Sequence, residues 1–410
     1  MSEIDPIVAA GTVIASFVAG SGIFYALGRH TESNRLKPEM EREQERSRQH
    51  LASIRSLNDA LEDARVRLRN LENDRVPPPP REQANQLVQT LLHDDDEVWL
   101  SSPPDKPPGH DDRIAAQRMK VISIANLKGG VGKTTTTANL AAYFDRHLNK
   151  RVLVIDADYQ GSLSAIFKTM ARTSEAPAST ARWLSGTENL DLAAAGANRI
   201  NDDLPNTRFL SAFYELSNVE TRLMVQWLLG KMLKEANVPD LRYALGRALH
   251  SHAVTSRFDV VLIDCPPRLS TATINALCAS THLLIPTVPD TSSLEAAANF
   301  IKMSRRVTAQ LNPLMRLAGV APTLTSGTNL SDDEANLLRQ FKARAKESGD
   351  EPYILQRHIP RNRPIASLAG TGIALMRASA PTKRLFSAFG DEVANRVGFG
   401  STSHMAVAAE

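Results

Sequence analysis

The sequence has little of several things that would narrow its chemistry at once. Its 410 residues hold only two cysteines, Cys265 and Cys278, both inside apolar stretches. That excludes a disulfide framework and reads as two buried thiols in a reducing compartment. No Cys/His cluster has metal-ligand spacing, which argues against a zinc-type centre. A formal net charge of +3 is too small to argue for a nucleic-acid partner by itself. No internal repeat is visible, so a solenoid is not expected. What remains is ordinary: 42% apolar and 23% charged residues, enough to bury a sizeable core in one large domain with extensions.

The N-terminus lacks charge altogether between Ile7 and Gly28, where the run reads IVAAGTVIASFVAGSGIFYALG. As a helix it would span about 33 Å, close to the hydrocarbon thickness of a bilayer. Glu3 and Asp5 make the preceding region acidic, unlike the basic start of a cleaved signal. Arg29, Arg35 and Lys37 follow the run and nothing basic precedes it. The positive-inside rule then predicts a single-pass inner-membrane protein, with residues 1–6 outside and the rest in the cytoplasm. Gly11, Ala15 and Ala19 recur every four residues, a spacing that lets two helices approach closely.

Residues 29–76 follow as a charged segment whose helix, from Glu39 onward, contains no Gly or Pro. Ile54, Leu57, Leu61, Ala64, Leu68 and Leu71 alternate at spacings of three and four, an a/d pattern over about three heptads that predicts a coiled coil. The alternative is a solvated helix with one apolar stripe packed on its own domain. Pro77 to Pro80 end it. Beyond lie a short amphipathic piece with Leu87, Val88, Leu91 and Leu92, an acidic run from Asp94 to Glu97, and the stretch SSPPDKPPGHDD. Residues 77–117 therefore read as a Pro-rich linker.

The chemistry begins with KVISIANLKGGVGKTTTTANLAAYF. Val121 to Ala125 is a short β-branched run of the kind that forms a buried parallel strand. KGGVGKTT, Lys128 to Thr135, comes next, and Thr136 to Phe144 reads as a helix. Strand, glycine-rich loop, Lys-Thr and helix in that order is the context a P-loop requires. Gly129, Gly130, Val131 and Gly132 would turn backbone N–H groups inward around a phosphate, and the helix N-terminus adds partial positive charge. Lys133 would reach the outer phosphates of ATP, and the Thr134 hydroxyl would bind Mg²⁺ with Thr135 beside it. Phe258 to Asp264 is an apolar strand ending in a carboxylate, as a Walker B strand does, followed by CPP.

The second lysine in the loop, Lys128, makes KGGVGKTT resemble the deviant Walker A motif of the ParA/MinD family of ATPases. DADYQGSLS, after the strand Arg151 to Ile155, is similar to that family's first switch, and FDVVLIDCPPRLSTATINALCAS to its Walker B and second switch. Two departures stand out: Tyr159 replaces the usual proline, and Ser162 the usual asparagine. The resemblance covers about residues 118–395, loosely over 170–255, where TRFLSAFYELSNVE is recognisable and the surrounding helices read as longer than usual. It implies a doubly wound, mostly parallel α/β sheet of the P-loop NTPase kind. It also implies a sandwich homodimer formed with ATP, in which Lys128 reaches the partner subunit's phosphates. Asp158 would orient the attacking water, Asp156 and Asp264 would support Mg²⁺, and Pro360, in the segment IPRN, would border the adenine. Further strands are expected at His282 to Pro286 and Leu317 to Leu324, and residues 396–410 as a disordered tail.

The expectation is an ATPase switch that positions or partitions a cargo, with an activator or adaptor protein as partner and the anchor at 7–28 holding it to the inner membrane. The alternative is a regulatory scaffold of slow turnover, or a protein like the bacterial tyrosine kinases. The tail VGFGSTSHMAVAAE has no tyrosine, unlike the substrate tails of those kinases. Arg361, Arg363, Lys383 and Arg384 could form part of a basic face for non-specific DNA, but a solvated surface is the favoured reading, and the linker gives limited reach to a nucleoid.

Overall fold

A computed structural model describes residue 62 and residues 97–400, except 172–177, 187–197, 233–237, 348, 350, 362 and 369. The apolar run 7–28, the heptads and residues 401–410 lie outside the described residues. The chain divides into two compact units, Met1–Val98 and Trp99–Glu410. The second carries the site.

Eight strands form one sheet in the order β3-β4-β2-β5-β1-β6-β7-β8. They are β1 (Lys120–Ile124), β2 (Val152–Asp156), β3 (Asn198–Asn201), β4 (Leu204–Leu210), β5 (Val260–Asp264), β6 (His282–Thr287), β7 (Arg316–Thr325) and β8 (Ile359–Pro360). All neighbouring pairs are parallel except β3 with β4. Every residue of β2, β5 and β6 is buried, as expected of central strands covered by helices on both faces. The expected fold class, a doubly wound P-loop type sheet, is what the chain adopts.

The helices that frame the site are α1 (His110–Ala116), α2 (Lys133–Arg146), α3 (Ser162–Ala171), α4 (Tyr214–Met232), α5 (Thr271–Ala279), α6 (Thr291–Leu311), α7 (Asp332–Glu347) and α8 (Ala380–Arg396). On one face α2 packs against α8 so closely that a Cβ on Gly390 would fall 2.3 Å from the Tyr143 ring. Phe144, Phe386 and Phe389 complete that core. Val397 is buried and Phe399 packs on the same cluster, so ordered packing extends past the expected boundary at 395.

Two sequence expectations need correction. The single-pass inner-membrane placement is overturned: among the described residues no helix is long and apolar enough to cross a membrane. The longest of them, α6, is amphipathic, burying Leu294, Phe300 and Ile301 while Glu295 and Lys302 stay outside the core.

The linker expected up to 117 ends earlier. Trp99 is 1% exposed and stacks on Trp227 of α4, with ring centroids 6.0 Å apart. Arg242, fully buried, donates to the carbonyls of Trp99, Ser102 and Pro103 at 2.7–3.0 Å and pairs with Asp240 at 2.6 Å. Proline-rich composition had suggested a spacer, but prolines leave carbonyls without local N–H donors, and one guanidinium supplies those donors here.

The β3–β4 hairpin lies within 170–255, the stretch of loose resemblance, and no strand was read there from the sequence. Its polar residues disguise it. Thr207 is fully buried because its hydroxyl and the Asn206 N–H both donate to Asp145 on α2.

Candidate functional site

The parallel register builds the site. Ile124 lies opposite Asp264, and Asp156 opposite Asp264 on the other side. Strands β1, β2 and β5 thus end level, and the segments leaving them meet at the carboxyl edge of the sheet. The loop after β1 turns through Gly130 (φ 74°) and Gly132 (φ 79°), left-handed conformations that favour glycine. Gly132 accepts the first helical bond of α2 from the Thr136 N–H at 2.9 Å. The helix begins at Lys133, three residues earlier than the sequence suggested.

Two residues that sequence reasoning missed hold the loop. Asn126 donates to the Pro286 carbonyl at 2.8 Å and accepts the Lys128 N–H at 3.0 Å. Thr323 donates to the carbonyls of Val131 (2.8 Å) and Thr287 (3.1 Å). Asn126 could have been found beside the glycine loop as a polar residue at a strand end. Thr323 is almost 200 residues away and carries no local signal.

Lys133 is buried and its ammonium donates to the Lys128 carbonyl at 2.9 Å. Burial pushes its pKa down, opposed by Asp264 and Asp158. The Thr134 hydroxyl donates to Asp264 Oδ2 at 2.7 Å. Thr137, a turn further on, approaches Asp264 Oδ1 at 3.5 Å. Asp264 is 1% exposed, and burial pushes it up to about 7 despite these hydroxyls and Lys133. A buried carboxylate oxygen beside a helix-terminal hydroxyl is a hard-oxygen donor pair that suits Mg²⁺. Among the described residues no cluster of three His, Cys, Asp or Glu forms a metal cage. Mg²⁺ ordinarily takes one or two carboxylates plus phosphate oxygens, so such a cage is not required.

Asp156 is equally buried, and burial, with the Asp264 carboxylate alongside, holds it well above the usual carboxylate range. Its oxygens are already engaged: Oδ1 accepts the Asp158 N–H at 3.1 Å, and Oδ2 accepts the N–H (2.8 Å) and hydroxyl (2.7 Å) of Ser164. Asp156 therefore holds the turn that carries Asp158. Asp158 is half-buried and accepts the Gln160 N–H at 3.0 Å. Gly161 closes the turn at φ 65°, and a Cβ there would lie 2.6 Å from the Ala212 carbonyl oxygen. Ser162, one of the two departures, is exposed at the start of α3.

Lys128 points its ammonium at the start of α6, bonding Ser292 and lying 3.5 Å from Asp290. Pro360 pairs with Thr325 in β8, one step from Ile359, which pairs with the loop-holding Thr323. It therefore sits on the same rim of the sheet as the glycine loop. Arg361, Arg363, Lys383 and Arg384 are all exposed. Both cysteines are buried, and burial pushes both thiols above their usual range, as inert thiols.

A glycine loop at a helix N-terminus, a hydroxyl–carboxylate pair beneath it and a buried lysine whose ammonium bonds the loop's own backbone define a P-loop nucleotide-binding protein. A family profile described as an AAA domain matches residues 119–317. The chromosome partitioning protein ParA of Caulobacter vibrioides is 32% identical over 260 residues, covering 61% of this chain and 83% of that protein. The chromosome-partitioning ATPase Soj of Thermus thermophilus is 30% identical over 282 residues, covering 68% and 97%. The chain belongs to this ParA/Soj family of P-loop ATPases. The ATP complex of McdA from Cyanothece superposes with a TM-score of 0.54 at 21% identity, over 69% of this chain and 98% of that one, a likeness of fold.

Proposed function

We propose that this chain is an ATP-hydrolysing switch that positions or partitions a cargo through nucleotide-dependent dimerisation. The observation that carries the reading is the Thr134–Asp264 pair, 2.7 Å apart directly beneath the glycine loop and Lys133. Backbone N–H groups of Gly129 to Gly132, with Lys133, Thr134 and Thr135, would hold the phosphates of ATP. Thr134 and Asp264 would hold Mg²⁺, with Asp156 fixing the neighbouring turn. The metal supplies neutralisation of phosphate charge. Pro360 would border the base. Asp158 would orient the attacking water, a role that its half-exposed place on a short turn supports. Lys128 would leave Asp290 and Ser292 to reach the phosphates held by a second copy. The names of ParA and Soj support partitioning as the process; the cargo and the activating partner are left to experiment.

The test is the full chain carrying Asp158→Ala, weighed by light scattering with Mg·ATP and with Mg·ADP. A dimer with ATP alone, with wild-type hydrolysis lost, is the expected result. A monomer in both nucleotides, or unchanged hydrolysis, would sink the proposal.

A further inference from the structure

Tyr159 stands in the first switch-like turn where relatives of the resembled family usually carry proline. Its ring is covered by the guanidinium of Arg268, 5.0 Å from the ring centroid. Arg268 belongs to the segment after β5, two residues beyond Pro266. Its Nη2 also reaches Glu220 Oε2 on α4 at 3.2 Å. Glu220 is not a passing surface partner. It is 3% exposed, and its other oxygen accepts the Ala272 N–H at 2.7 Å, at the start of α5. The Thr271 hydroxyl donates to the Glu220 backbone carbonyl at 3.3 Å. Glu220 is thus fastened to the segment after β5, and Arg268 extends from it across to the turn after β2.

The geometry points to Arg268, backed by Glu220, as a positioning residue that holds the Asp158 turn through the face of Tyr159. This rests on the reading of Asp158 as the residue that orients water. Proline would stiffen this turn by fixing its own φ. Tyrosine gives up that local constraint, and the guanidinium–ring contact replaces it with a tertiary one. The Ala157 N–H already donates to the Asp264 carbonyl at 2.9 Å where the two strands end, and the ring–guanidinium contact adds a second tie further out along the segments that leave them. Their movement becomes concerted: a shift of the Pro266–Ser270 segment moves the ring, and the ring moves the backbone carrying Asp158. Neither Tyr159 nor Arg268 is among the residues proposed to hold the nucleotide, so the proposal gives them no part in its affinity.

The first test needs no nucleotide. Amide hydrogen exchange of residues 158–161 is measured in the full chain for wild type, Tyr159→Ala, Arg268→Ala, the double variant and Tyr159→Phe. A contact of this class at a part-exposed site sets an expected rise in exchange of about 2- to 5-fold in each single alanine variant. The double variant should exchange no faster than either single one, and Tyr159→Phe, which keeps the ring face, should match wild type. Unchanged exchange in the singles, or multiplied effects in the double, overturns the tie. The second test is steady-state hydrolysis. The alanine variants, and Glu220→Gln, which keeps the acceptor for Ala272, should lower kcat with KM for ATP unchanged, while Tyr159→Phe should match wild type. Wild-type kcat in Arg268→Ala overturns the positioning role. If wild type itself hydrolyses no ATP, the ATPase reading fails, and the exchange measurement still decides the tie.

Discussion

Acid should loosen this fold through His250, and the effect can be worked out before it is measured. His250 is 3% exposed between α5 and the strap, the segment 99–117 that Trp99 and Arg242 fasten to the domain. Its Nε2 meets the Ala279 carbonyl at 3.0 Å, and its Nδ1 faces the Gln117 side-chain amide at 2.9 Å. His110 crosses it edge-on at 5.7 Å, and Arg113 adds positive charge nearby. Burial, with His110 next, pushes the ring down to about 4 from the ordinary 6.5. The folded-state value is depressed, so the unfolded chain binds more protons between these limits. The stabilisation is present above 6.5 and is lost as pH falls toward 4. The full gap corresponds to about 3 kcal/mol, and about 1.3 kcal/mol of it is lost between pH 7.5 and 5.5. The assay is urea unfolding at both pH values, wild type against His250→Gln, with unchanged slope as the control. His282, also pushed down to about 4 by burial and by Lys120, Arg316 and Arg396, titrates alike in both proteins. Wild type should therefore lose about 1.3 kcal/mol more than the variant. Equal losses would refute the argument.

Three further substitutions test the packing around the site. Trp99→Ala should cost about 3–5 kcal/mol in denaturant unfolding, because it empties the place stacked on Trp227; a cost under about 1 kcal/mol would mean the strap is not part of the cooperative unit. Gly161→Ala forces a left-handed φ on alanine with its Cβ 2.6 Å from a backbone oxygen. It should destabilise the Asp158 turn by at least about 1–3 kcal/mol and sharply lower hydrolysis, and wild-type turnover would show the turn is not rigid. Thr323→Val strips the hydroxyl bound to the Val131 and Thr287 carbonyls. An ATP-binding titration should show weaker affinity, with stability reduced by about 1–3 kcal/mol; unchanged affinity would mean the loop holds its shape alone.

How legible this was in the sequence depends on the range of the interaction that fixes each part. The central strands were visible because a strand buried on both faces must be apolar throughout, and VLVID and VVLID have no competing reading. The glycine loop was visible because its chemistry is local, with phosphate nest, lysine and hydroxyl all lying within eight residues. The β3–β4 hairpin was not, since Asn206 and Thr207 look like surface residues until Asp145, about 60 positions earlier, accepts from them. The strap was hidden for a related reason. SSPPDKPP has the composition of a spacer, and only the distant Arg242 turns its free carbonyls into anchors. The Tyr159 substitution was legible as a departure, but its counterpart Arg268 was not. A ring face and a guanidinium more than a hundred residues apart leave no periodic or motif signal.

The two lysines of the loop differ in what they would give up to meet a phosphate. Lys133 is already desolvated, and its lowered pKa shows that Asp264 and Asp158 do not fully compensate the burial. Folding has placed an under-satisfied cation at the loop, and an anion arriving there restores the missing interaction. Lys128 is about one third exposed and its pair with Asp290 stretches to 3.5 Å. Exposed pairs of that kind contribute little, so letting go of Asp290 costs little and leaves Asp290 as the N-cap of α6, accepting the Ser293 N–H at 2.8 Å. On the proposed reading, one lysine is built to bind and the other to be released. On that reading, freeing Lys128 costs the dimer little. The Asp158 turn is held by Asp156 on one side and, through the proposed tie, by Tyr159, Arg268 and Glu220 on the other.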